Sequence, residues 1–144
     1  MSESGKIRTV AIVDDERMIR NALKRIVART LDCLDLAIHE AGDGIEGLSV
    51  AQGKDLVITD LQMSGMNGFE LVRQLRESET MSKARNRINY VRQKIIMLSG
   101  KYLDPEEDIK KMALLESGDL TAYLSKPFDS KELTVLLKRL DSGN

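Results

Sequence analysis

Residues 57–71 read VITDLQMSGMNGFEL: a β-branched apolar run that ends on a carboxylate, Asp60, and passes through a Gly- and Met-rich turn into a helical pattern. A run that is apolar throughout, and not on alternate residues, suits a strand covered on both faces, the condition of a parallel sheet with helices on each side. The stretch raises fold and function together, because a strand built for a core stops on an acid.

The same texture occurs at TVAIV (9–13), DLAIHEA (35–41), KIIML (94–98) and AYL (122–124), so with DLVIT (55–59) the chain carries five strand patterns. Helical spacing separates them. Ile19, Ala22, Leu23, Ile26 and Val27 mark a first helix, Leu71, Val72 and Leu75 a third, and Ile109, Met112 and Ala113 a fourth. Leu133, Leu136, Leu137 and Leu140 mark a fifth. Capping boxes are expected at Asp43 with Glu46, at Asp104 with Pro105 and Glu107, and at Asp129 with Glu132. Strand and helix alternate five times, which predicts an α/β fold of the (βα)5 kind: a doubly wound, five-stranded parallel sheet in one domain over 1–144, with its core at about 7–141.

Composition narrows the classes. The chain has 144 residues, 42% hydrophobic and 31% charged, with formal net charge −1, so bulk charge favours neither nucleic acid nor an anionic membrane. One cysteine, Cys33, cannot form an internal disulfide, and neither a bilayer-spanning run nor a signal-peptide core is present, which points to a cytoplasmic protein. Cys33 reads as a small apolar filler and the single histidine, His39, as a structural residue on the second strand.

In an open parallel sheet ligands sit beyond the carboxyl ends of the strands. There lie Asp14, Asp15 and Glu16 after strand one, Asp60 after strand three, Ser99 and Gly100 after strand four, and Ser125, Lys126, Pro127 and Phe128 after strand five. Three carboxylates at about 4 Å repel by roughly 4 kcal/mol per pair at an effective dielectric near 20. Either one stays protonated or a cation joins them, and an oxygen-only cluster without His or Cys suits Mg²⁺. Lys126 and Ser99 add a point charge and a hydroxyl donor, which suits a phosphoryl group, with Asp60 able to attack phosphorus as a nucleophile. Each residue alone has a plainer role. Asp60 could cap its own loop, Asp14 and Asp15 could cap the first helix, Lys126 could be solvated, and Ser99 could satisfy backbone. Their convergence favours the site.

VDDE, VITDLQMSGMNGFEL, IIMLSG and YLSKPF, in that order and on those elements, resemble the receiver domain of two-component response regulators, of the CheY-like kind, over essentially the whole chain. The resemblance implies that Asp60 is the phosphoacceptor, that Asp14 and Asp15 hold Mg²⁺, with Mn²⁺ as a substitute, and that the Gln62 backbone carbonyl is a further ligand. It implies that Ser99 and Lys126 hold the phosphoryl group, that Ser99 and Tyr123 form the switch, and that Lys126–Pro127 is a cis peptide. Tyr123 also reads as an ordinary packed aromatic. The implied donor is a sensor histidine kinase or a histidine phosphotransfer protein. The implied output is a partner protein or a fused effector domain, bound through the face of helix four, strand five and helix five, by a monomer or a phosphorylation-dependent dimer. No nucleic-acid or membrane contact is expected of this domain. Its chemistry would be its own phosphorylation and dephosphorylation, not turnover of a released substrate.

Two departures stand out. Ser64 replaces the proline usual after the methionine, and the connection over 77–94 is longer than usual and basic, with Lys83, Arg85, Arg87, Arg92 and Lys94. Met81, Ala84, Ile88 and Val91 give part of it a helical spacing, either as an extension of helix three or as a separate turn, and its charge reads as a solvated loop before a docking site. Variation in phosphoryl lifetime is expected at Gln62 and Lys101. A flavin carrier would need a phosphate loop where VDDERM stands, and an aspartyl phosphatase would place its acid beside its nucleophile, which this chain does not. Helix five is followed only by DSGN, which fits a stand-alone regulator or the receiver of a longer protein.

Overall fold

The computed structural model of the chain describes residues 6–85, 92–100 and 102–142. Ten elements alternate: β1 (Thr9–Val13), α1 (Arg17–Leu31), β2 (Ala37–Ala41), α2 (Gly44–Ala51), β3 (Leu56–Asp60), α3 (Gly68–Arg85), β4 (Lys94–Ser99), α4 (Pro105–Ser117), β5 (Ala122–Ser125) and α5 (Ser130–Asp141). The strands form one sheet in the order β2-β1-β3-β4-β5, every neighbouring pair parallel. Right-handed crossovers are the rule for parallel strands. The chain steps from β1 to one edge and then returns past it to β3, so the switch point lies between β1 and β3.

The period of two along each strand sorts side chains between two cores. Val10, Ile12, Leu56, Ile58, Ile96 and Leu98 pack with Leu23, Ile26 and Val27 of α1 and with Leu133 and Leu137 of α5. Ala11, Val13, Val57, Ile95 and Met97 pack on the other face with Leu71, Val72 and Leu75 of α3 and with Ala51 of α2. Each fully buried Leu, Ile or Val contributes about 1.5–3 kcal/mol, so β3, buried at every position, is the axis of the fold. The edge strands depart from the expectation of full burial, and His39 lies exposed on β2.

Helix ends follow the sequence in part. Asp104 and Glu107 form the complete capping box, with Pro105 at the first helical position. Asp43 accepts from the Glu46 amide, but the Glu46 carboxylate reaches one residue further back, to the Gly42 amide. Asp129 caps α5 through the Lys131 amide at 2.9 Å, and no box with Glu132 forms there. The stripe expected on α4 is turned outward: Ile109 is 70% and Met112 46% exposed, while the neighbouring row, Leu114 and Leu115, meets the core with Leu103. Met112 and Leu115 stand at i, i+3 just as Ile109 and Met112 do, so periodicity alone does not choose the inward side.

Residues 77–85 of the long connection continue α3, and Met81 and Ala84 lie on that extension; Arg87, Ile88 and Val91 fall outside the described residues. Lys83 and Arg85 are exposed in its last turn. A buried polar lock fastens the helix. The Glu79 carboxylate accepts from Arg76 at 2.7 Å, from the Gln93 amide at 2.6 Å and from Arg92 at 3.2 Å. Arg76 also donates through Nε and Nη2 to the Asp119 carbonyl, at 2.9 and 2.8 Å, and the Gln93 side chain donates to the carbonyls of Ala51 and Lys54. All of this lies at the end of the sheet where β4 and β5 begin.

Candidate functional site

At the opposite end, the carboxyl ends of β1 and β3 bring Asp14 and Asp60 together. Asp14 is fully buried and Asp60 is 5% exposed, whereas Asp15 faces solvent. Each of the three offers an oxygen within 4.8 Å of the others'. Lys126 arrives from the end of β5, its Nζ 2.8 Å from Asp14 Oδ2 and 3.3 Å from Asp60 Oδ1. Its backbone N–H donates to the Ser99 carbonyl at 2.7 Å, which ties the lysine to the end of β4. Ser99 is buried beside it, and Ser99, Gly100, Tyr102, Ser125 and Lys126 line a depression of about 290 Å³. The Lys126–Pro127 peptide is cis.

Close packing makes this pocket rigid. A Cβ on Gly68 would lie 2.6 Å from the Asp60 carbonyl oxygen and 2.9 Å from Leu61 Cα, so only glycine lets α3 begin directly against the end of β3. A Cβ on Gly44 would overlap the Met66 carbonyl oxygen, so α2 seats the turn after β3 in the same way. Asn67 accepts from the Glu70 amide ahead of the first turn of α3.

Burial pushes the Asp60 carboxyl above its ordinary value of 3.8; Lys126 pulls it down, nearby Asp14 pushes it up, and the Gln62 N–H lowers it by donating to the carboxylate. Burial disfavours the Lys126 charge, but its hydrogen bond to Asp14 and the fields of Asp14 and Asp60 outweigh that and raise its pKa. The ammonium therefore stays protonated and occupies the carboxylate cluster as a cation. Between pH 3.8 and its higher folded value, Asp60 binds more protons folded than unfolded, so its contribution to stability falls as pH rises through that window. In EDTA at pH 7, Asp60→Asn is expected to melt at a higher temperature than the wild type; a lower melting temperature by calorimetry would contradict this.

The sequence-derived residues Asp14, Asp15, Asp60 and Lys126 meet in one cluster, with Ser99 at its edge. Gln62 contacts Asp60 through its N–H, a role the sequence reading did not assign. The Glu16 amide donates to Asp14 Oδ1 at 2.9 Å, so Asp14 braces the start of α1, the plainer role the sequence offered, as well as joining the pocket. Tyr123 lies apart from the carboxylates, partly buried on the α4 side, with Lys111 Nζ 4.9 Å from its ring centroid. Tyr123 pairs in register with Met97, two residues before Ser99, so the period of two puts Ser99 and Tyr123 on one face of adjacent strands. Lys101 falls outside the described residues.

The donor set fits a divalent cation: three carboxylates, oxygen only, two of them buried at the rim of a parallel sheet. A sheet of this order, with an acidic crevice at its switch point, defines the class as an open, doubly wound α/β domain with its site at the carboxyl ends of the strands. Residues 10–138 match the family model described as the response regulator receiver domain, and the chain belongs to that family. Among its relatives, transcriptional regulatory protein HptR of Staphylococcus aureus is 35% identical over 133 residues, 91% of this chain and 45% of HptR. Aerobic respiration control protein ArcA of Escherichia coli is 31% identical over 133 residues, 91% of this chain and 47% of ArcA. The chain thus spans about half the length of these curated relatives. Among solved structures, chemotaxis response regulator CheY4 of Vibrio cholerae is similar with a TM-score of 0.63 and 28% identity, over 94% of this chain and 99% of that one. A BeF3-activated DrrB receiver domain shares the fold at a TM-score of 0.67 and 21% identity, over 93% and 97% of the two chains. Among the described residues no helix is long and apolar enough to cross a membrane.

Proposed function

We propose that this receiver accepts a phosphoryl group onto Asp60 from the phosphohistidine of a sensor kinase or a phosphotransfer protein, and that this phosphorylation changes its affinity for an output partner. The observation that carries the proposal is the convergence of Asp60, Asp14, Asp15 and Lys126 from three separate strand ends. An Asp60 carboxylate oxygen forms the new bond to phosphorus as the phosphorus–nitrogen bond of the donor breaks, and the imidazole leaves with that electron pair. Asp14, Asp15 and Asp60 would hold Mg²⁺ or Mn²⁺, with the Gln62 carbonyl as a further ligand; the ion supplies positive charge against the phosphoryl oxygens. Lys126, kept protonated by its acidic neighbours, binds a phosphoryl oxygen, and the Ser99 hydroxyl donates to another. The chemistry stays on the domain itself, as phosphorylation and slow hydrolysis.

Movement of Ser99 toward the phosphoryl group would alter the space available to Tyr123, the switch residue, on the shared face of β4 and β5. The outward apolar side chains of α4, Ile109 and Met112, together with Val135 of α5 at 65% exposure, support the α4–β5–α5 face as the output surface. A separate output protein or a fused effector domain would dock there, on a monomer or a phosphorylation-dependent dimer. Incubation with acetyl phosphate and Mg²⁺ tests the proposal by intact-protein mass. One phosphoryl adduct per chain, abolished by EDTA, is expected; no adduct with this or a second small phosphodonor would overturn it.

A further inference from the structure

Arg20, at the end of the first turn of α1, is not among the carboxylate cluster or the phosphoryl-holding groups, yet it is bonded directly to the acidic turn. Its Nη1 donates to the Asp14 carbonyl oxygen at 2.7 Å and its Nε to Glu40 Oε1 at 3.0 Å. Glu40 is held in place by Lys24 through its other oxygen, at 2.7 Å. Only 18% of the Arg20 side chain is exposed. The guanidinium is thus a rigid bridge from β2 to the loop after β1.

That carbonyl matters because a peptide unit is planar. Fixing the Asp14 oxygen fixes the plane that carries Asp15 N and Cα, and the Glu16 amide, held on Asp14 Oδ1, constrains the next peptide; the two together set the direction in which the Asp15 side chain leaves the chain. Asp14 is tied independently: its N–H donates to the Ala41 carbonyl at 3.1 Å, and its carboxylate oxygens accept from the Glu16 amide and from Lys126. Asp15 is exposed, so the aim of its carboxylate rests on its backbone. The Arg20 amide also donates to the Glu16 carbonyl at 3.1 Å, which locks the far end of the same turn into α1.

We infer that Arg20 is a positioning residue: by bridging the Asp14 carbonyl and Glu40 it holds the Asp14–Asp15 peptide so that the Asp15 carboxylate stays aimed at the cation position. This rests on the proposed divalent-metal role of the cluster. Planarity and the fixed spread of Nε and Nη1 let arginine reach two separated acceptors on different elements, whereas a lysine would have to serve both from a single nitrogen. Charge alone therefore does not replace it.

The test is Mn²⁺ binding to the full chain, read from the free-ion electron paramagnetic resonance signal, with the fold of each variant checked by circular dichroism. Residues outside a ligand shell that orient ligands typically cost 10–100-fold in metal affinity when replaced. Arg20→Ala is expected to weaken Mn²⁺ binding by about that factor, and Arg20→Lys by about tenfold although its charge is retained. Lys24→Ala, which removes a cation from the same Glu40 but leaves the Asp14 carbonyl bonded, is expected to stay within about twofold of the wild type. A folded Arg20→Lys with wild-type affinity would overturn the positioning role, as would Lys24→Ala weakening binding as much as Arg20→Ala. No Mn²⁺ binding by the wild type would overturn the metal reading itself, and this inference with it.

Discussion

Replacing Glu79 with alanine is expected to lower the unfolding free energy by about 3–5 kcal/mol, the usual cost of removing one partner from a buried ion pair. Glu79 is 7% exposed and its two oxygens serve Arg76, Arg92 and the Gln93 amide, so the substitution leaves a buried guanidinium and a buried amide without their acceptor. Arg76 keeps the Asp119 carbonyl but loses its counter-charge. Glu79→Gln, which retains one acceptor oxygen, is expected to cost less. Urea unfolding would show a lower midpoint with an unchanged slope. Because the lock sits where β4 and β5 begin and the acidic crevice where they end, the variant should still take up phosphoryl groups at temperatures where it remains folded. A loss below 1 kcal/mol would mean that the lock is solvated and that the extension of α3 is held by other contacts.

Lys126→Met is expected to slow phosphoryl uptake from acetyl phosphate by about 10²–10³-fold at saturating Mg²⁺, the scale of removing one charge-stabilising donor from an acyl- or phosphoryl-transfer site. The same substitution is expected to tighten Mg²⁺ binding several-fold, since a cation 2.8 Å from Asp14 and 3.3 Å from Asp60 no longer competes for those carboxylates. The two effects run in opposite directions. General damage to the pocket would lower both, so a rate series and a Mg²⁺ titration on one preparation separate the cases. Unchanged uptake would remove Lys126 from the phosphoryl site.

The candidate site was legible in the sequence as a cluster because its residues sit at strand ends that hydrophobic runs define. Val57 to Asp60 is buried at every position in the structure, as an unbroken apolar run predicts, and the acid at its end stands beside Asp14 and Lys126. Asp14, Ser99 and Lys126 follow from counting to the ends of β1, β4 and β5. What was not legible depends on contacts between elements far apart in sequence. Arg76 meets Asp119 forty-three residues on, and Glu79 meets Gln93 across the connection, so a segment that reads as basic is fastened by an acid. Arg20 reads as a polar position on α1 until β2 pairs with β1 and brings Glu40 beside it. On α4 the apolar side chains spread over more than one face, and Ile109 and Met112 turn outward while Leu114 and Leu115 turn in. At Asp129 the residue type announced a helix start, but the bond went to Lys131 and not to the residue paired with it by pattern.

The central claim is that Asp60 is the residue that carries the phosphoryl group. Borohydride reduces an acyl phosphate to the alcohol, which leaves a stable mark on the side chain that bore it. Wild-type chain treated with acetyl phosphate and Mg²⁺, reduced, digested and sequenced by tandem mass spectrometry should show homoserine at Asp60, with Asp14 and Asp15 intact. Reduction at Asp14 or Asp15, or an adduct of undiminished yield in Asp60→Asn, would contradict it.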